Sequence, residues 1–136
     1  MIASRPWLGF GTNCFYDNYK HFSVLSFETY VSGNPEKSTT HNYFLMVFAE
    51  QGVIGFIIFI TLCVTIFFVS QNAYFATQSK EMKASILAIT LSLSSIIFHL
   101  FLNDLIETDK IGTLFYFNLA ILVRVSIWVQ NEKGLN

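Results

Sequence analysis

From Gln51 through Ser79 the chain carries no Asp, Glu, Lys or Arg, and Val53 to Val69 is almost entirely large apolar residues. This run constrains the fold more than any other feature. A helix rises roughly 1.5 Å per residue, so the stretch reaches across a hydrocarbon core of about 30 Å. Lipid offers no hydrogen-bond partner, and the backbone of such a segment must pair within itself. Ala84 to Leu102 is likewise free of formal charge, and Ile111 to Val129 holds only Arg124, close enough to its far end for the side chain to reach the interface. Spans are therefore predicted over 43–72, 84–102 and 111–129. Composition agrees: 12% of residues are charged, against roughly 25% in an ordinary soluble domain, and fifteen are Phe. The predicted class is all-α integral membrane, an extramembrane loop followed by three transmembrane helices.

Residues 1–42 are polar, aromatic and turn-rich, punctuated by Pro6, Gly9, Gly11, Gly33, Asn34 and Pro35. They predict a loop with one or two short helices. The first span exceeds the minimum length, which predicts tilt or projection from the bilayer. Its Gly52 and Gly55 read either as a helix-packing seam or as the glycine common in membrane helices. Gln71 to Lys83 reads as a linker, and Asn103 to Lys110 as a compact acidic turn. Lys80 and Lys83 in the linker, with Arg124 and Lys133 at the C-terminal end, outweigh Lys110 in the acidic turn. The positive-inside bias thus puts the linker and tail in the cytoplasm, and the leading loop and acidic turn outside. The opening Met-Ile-Ala-Ser-Arg-Pro-Trp has no basic region followed by an apolar stretch, and it reads like the middle of a protein. A C-terminal piece of a longer chain is expected.

Several function classes are disfavoured. The net charge is -1 and the eight Lys and Arg are scattered, which gives no electrostatic footprint for nucleic acid. Cys14 lies in the polar segment and Cys63 in the apolar run, with no Cys-x-x-Cys or His-Cys cluster, so neither a disulfide nor a zinc site is expected. Asp104, Glu107 and Asp109 read as a solvated connector before they read as metal ligands. Gly9-Phe10-Gly11 lacks the context of a phosphate loop and is expected to be a turn. No cofactor and no metal are expected.

The candidate chemistry centres on His41, where a polar loop meets a membrane helix. Thr39 and Thr40 are placed to cap that helix, whose positive end attracts anions and favours a neutral imidazole. A neutral imidazole can take a proton from a hydroxyl; a protonated one can face a leaving phosphate. The alternative is an interfacial histidine bonded to its own loop. His21 reads as a solvated surface residue. His99 lies within a span and is a functional candidate or a histidine bonded to a neighbouring helix. Glu50 needs a partner, because burying a lone carboxylate is costly.

The succession Arg5-Pro6-Trp7-Leu8-Gly9-Phe10-Gly11, a polar loop, Thr40-His41-Asn42-Tyr43-Phe44-Leu45, then Ala49-Glu50-Gln51-Gly52-Val53-Ile54-Gly55 resembles the O-antigen ligase and polymerase superfamily. Asn103-Asp104-Leu105-Ile106-Glu107-Thr108-Asp109-Lys110-Ile111-Gly112 also looks like the end of ligase-type members. The resemblance covers nearly the whole chain and favours the ligase-like branch. It implies the C-terminal fragment of a larger polytopic helical bundle in the bacterial inner membrane, with residues 1–42 periplasmic. It further implies transfer of a glycan from an undecaprenyl-diphosphate carrier to an acceptor sugar such as the lipid A core, without nucleotide or metal. The implied catalytic residue is His41. Asn42, Tyr43, Asp104 and Asp109 are the candidate substrate contacts, with Asn42 also placed to fix the loop or cap the helix and Tyr43 to join the aromatic belt. The family arginines thought to hold the diphosphate precede this segment and match no position here, so the fragment is expected to need the missing N-terminal helices for activity. An O-antigen or exopolysaccharide polymerase, and an inactive truncated membrane module, are the alternatives.

Overall fold

The computed structural model describes residues 2–22 and 40–134, with the side chains of 133 and 134 left aside. Gly33, Asn34, Pro35 and Thr39 lie outside the described residues, so the turn and cap expected of them do too. The described chain is all helical: a 3-10 turn at Ile2–Ser4, then α1 (Phe15–Tyr19), α2 (Tyr43–Ala76), α3 (Lys80–His99), a second 3-10 turn at Leu105–Glu107, and α4 (Asp109–Gly134). Three of these helices, α2, α3 and α4, are long and apolar enough to cross a membrane.

Helix ends differ from the sequence reading in an instructive way. The uncharged, helix-compatible residues Gln71 to Ala76 continue α2, and α3 begins at Lys80, leaving a connection of only Thr77 to Ser79. Ser79 is the N-cap of α3: its Oγ accepts the Met82 N–H at 3.3 Å. Lys80, Glu81 and Lys83, the charges that predict a linker, occupy the first turns of a helix instead. Charged residues in the first turns do not break the helix, because Lys and Glu are themselves good helix formers.

The chain divides into two compact units, one of residues 1–60 with 100–104, the other of residues 61–99 with 105–136. In the second unit α3 and α4 pack together. The buried residues of α4, Gly112, Phe115, Asn118, Leu122, Ser126 and Val129, recur at helical spacing and form one stripe. Asn118 Nδ2 donates to Ser92 Oγ at 3.2 Å and to the Leu114 carbonyl at 2.9 Å, so the one amide in this stripe is satisfied both within its helix and across to α3.

In the first unit the long helix is broken. Gly52 has φ 67° and ψ -165°, which separates a short arm, residues 43–51, from a longer one, residues 53–76. The 34 residues of α2, whose length predicts tilt or projection, are thus divided between two arms. The longer arm alone is about 36 Å at roughly 1.5 Å per residue, enough to span.

Candidate functional site

A break inside a helix frees carbonyls on one side and N–H groups on the other, and all of them need partners. The leading loop supplies partners for two carbonyls and two N–H groups. Phe10 and Gly11 N–H donate to the carbonyls of Ala49 (3.2 Å) and Glu50 (2.8 Å), which end the short arm. The carbonyls of Pro6 and Trp7 accept the N–H groups of Val53 (2.8 Å) and Ile54 (3.4 Å), which begin the long arm. Residues 5–11 therefore plug the gap from both sides.

The plug requires glycine where the two backbones meet. Gly9 is buried with φ +66°, and a Cβ there would overlap the Glu50 carbonyl; Gly52, φ +67°, would place a Cβ onto the Trp7 carbonyl. L side chains rarely adopt these backbone angles, and no space exists for one. Gly52 thus receives the loop, while Gly55 accommodates the side chain of Gln51. Gly52 serves this junction with the leading loop, whereas the neighbour of Gly55 is a side chain of its own helix.

Glu50 completes the junction. Its side chain is 7% exposed, and its two carboxylate oxygens accept the N–H groups of Asn13 and Phe15, each at 3.0 Å. These amides lie at the start of α1, which has no side-chain cap of its own. A carboxylate 35 residues further along the chain does the capping, and the charge sits at the positive end of the short helix.

The start of α2 is fixed by Asn42. Its Oδ1 accepts the Leu45 N–H at 3.1 Å, the N-cap bond, and its Nδ2 donates to the Phe101 carbonyl at 3.0 Å. Beside it the Tyr43 N–H donates to the Leu100 carbonyl at 2.9 Å, and Phe44 stacks on Phe101 with centroids 4.3 Å apart. Asn42 is the cap, one of the two roles its position offers in sequence. Thr40, expected in that role, instead donates its hydroxyl to the Asn42 carbonyl at 2.6 Å.

His41 stands between these two residues, exposed, with φ +48°. For a residue with a Cβ this conformation costs about 1–2 kcal/mol. The bonds made by Thr40 and Asn42 on either side hold it there. Strain at an exposed titratable residue motivates a functional assignment more than exposure alone does.

The other expected contacts fall in different places. The Tyr43 ring is half-buried and meets Phe59 edge-on at 5.2 Å. Asp104, half-buried, belongs to the same unit as His41, Asn42 and Tyr43; its N–H is bonded by Asn103 Oδ1 at 2.9 Å. Asp109 belongs to the other unit, exposed in the first turn of α4. Among the described residues no three acidic, His or Cys side chains converge as metal ligands. His21 is exposed in a turn, and His99 ends α3 beside a cleft of about 310 Å³ lined by Ser92, Ser95, Leu105 and Leu114. Sequence reasoning missed the partners of Glu50, Asn13 and Phe15, because they contribute backbone N–H groups that no side-chain pattern announces.

No family model matches the chain, and no curated protein or solved structure does either.

Proposed function

We propose that this chain is the C-terminal part of an O-antigen ligase-like membrane glycosyltransferase, acting on the periplasmic side of a bacterial inner membrane. One observation carries the reading. The separated segments that bear the resemblance, Arg5 to Gly11 and Ala49 to Gly55, interlock through four backbone hydrogen bonds and two opposed glycines. The same short arm of α2 presents His41 at its start. Segments scattered in sequence that meet as one junction at one end of a helical arm, with a strained, exposed histidine preceding the other end, support a built site over a chance likeness.

In this reading the donor is an undecaprenyl-diphosphate-linked glycan and the acceptor a sugar hydroxyl, such as one on the lipid A core. The acceptor oxygen attacks the anomeric carbon, its proton passes to an imidazole nitrogen of His41, and the bond from the anomeric carbon to the diphosphate oxygen breaks with its electron pair leaving on the diphosphate. The role of Asn42 is to hold the His41 backbone through its cap and its bond to Phe101. Tyr43 and Asp104, which lie in the same unit as His41, are the candidates for sugar contact, together with Asp109 of the other unit. Neither metal nor nucleotide enters these steps.

Complementation tests the assignment. In a strain lacking the complete parent protein, His41→Ala at equal membrane abundance should abolish glycan attachment while carrier-linked glycan accumulates. Attachment at the wild-type level would remove His41 from catalysis. The 136-residue chain expressed alone should transfer nothing.

A further inference from the structure

The plug carries two large apolar side chains that its own packing does not use. Trp7 is 68% exposed and Leu8 74%, although the backbone of Trp7 is fixed to the start of the long arm of α2 and Gly9, next in sequence, is buried in the junction. Rigid backbone beneath exposed apolar side chains distinguishes this tip from a loop that leaves its side chains wherever water allows.

The placement says what faces it. Residues 53–76 form the arm long enough to cross a bilayer, and the plug meets that arm at Val53 and Ile54, its first turn. The same arm exposes Ile54, Ile57 and Ile58, at 49%, 57% and 66%, so the apolar surface of the span begins where the plug ends. Arg5, also exposed, holds its guanidinium 5.2 Å from the Phe10 ring centroid at the other side of the tip. A cation, an indole and an aliphatic side chain within four residues suit the boundary zone of a bilayer, where phosphate, ester groups that accept an indole N–H, and acyl chains meet. Irregular backbone near that depth is tolerated where protein pairs its polar groups, and the four bonds across the break pair the carbonyls of Pro6 and Trp7 and the N–H groups of Phe10 and Gly11.

We propose that Trp7 and Leu8 insert into the headgroup–acyl boundary of the bilayer, making residues 5–11 a re-entrant interfacial element within a segment otherwise read as periplasmic. The inference rests on α2 crossing the membrane and is independent of the reaction assigned to His41. The partner is the phospholipid surface itself.

The chain has two tryptophans, Trp7 and Trp128, which makes depth-dependent fluorescence quenching direct. The full chain carrying Trp128→Phe is reconstituted in phosphatidylcholine–phosphatidylglycerol vesicles containing lipid brominated near the glycerol end or near the methyl end of the acyl chain. Trp7 emission should be blue-shifted relative to water and lose more intensity to shallow than to deep bromines. The reciprocal Trp7→Phe chain reports Trp128 in α4 and gauges insertion of the helices. Quenching of Trp128 with none of Trp7 overturns the proposal while leaving the spans in place; quenching of neither overturns both. Should Trp128→Phe fail to fold, Leu8→Cys bearing a spin label, in a chain with Cys14 and Cys63 changed to Ser, gives a second reading. There, faster collision with oxygen than with an aqueous nickel chelate supports insertion, and the reverse excludes it.

Discussion

Glu50 illustrates what a single residue can reveal before any coordinates exist. Its position just before an uncharged run demands a partner, and that demand is legible because desolvating a carboxylate is so costly. The partners are not legible, since two backbone N–H groups 37 and 35 residues upstream leave no periodic trace in sequence. The arrangement makes a specific expectation. Glu50→Gln keeps the shape but presents one acceptor oxygen and an NH₂ group to two donors. Both amides are part-buried, and leaving one of them unpaired costs about 1 kcal/mol or more. Hydrogen exchange at the Asn13 and Phe15 amides should then accelerate by about tenfold or more, whereas amides in the middle of α4 should keep their protection. Equal rates in both proteins would mean that the carboxylate does not hold the start of α1.

At the level of elements, the three long helices are legible because a long apolar run has few solutions in or out of lipid. Their ends are less so. The break at Gly52 is invisible in sequence, because glycine within an apolar helix is tolerated unless something arrives to exploit it, and here the loop at residues 5–11 does. Asn42 is a second case: its cap to Leu45 can be guessed from its position, its bond to the Phe101 carbonyl cannot. The two bonds are separable. Asn42→Asp retains the acceptor for Leu45 and loses the donor to Phe101; Asn42→Ala loses both. The alanine variant should lose about 1–2 kcal/mol from the cap alone and more from the second bond, with aspartate intermediate. Thermal unfolding in a single detergent would rank them, and equal losses for both variants would show that the cap carries no weight.

For the whole molecule, the decisive property is which side of the membrane each end occupies. The two native cysteines provide a test without added reporters: Cys14 is half-buried in the leading segment and Cys63 buried within α2. In intact cells whose outer membrane has been permeabilised, an impermeant maleimide should label Cys14 of the parent protein from the periplasm, while Cys63 should react only after denaturation. Labelling of Cys14 solely from the cytoplasmic side in inverted vesicles would reverse the orientation and remove His41 from the periplasm. The bias that predicts this orientation rests on few charges, and helix geometry is the same either way up. Orientation is therefore the part of the architecture least accessible to packing considerations.

The opposed glycines at positions 9 and 52 also limit how the chain can drift. Most tight contacts can be relieved by trimming the neighbour, so that one change excuses another. Here the neighbour of each glycine is carbonyl backbone, and neither position has an atom left to give up. In a saturation library scored for function, both columns should collapse to a single residue, and no double variant should rescue either. Trp7 and Leu8, fixed by backbone alone, should meanwhile exchange among other apolar side chains.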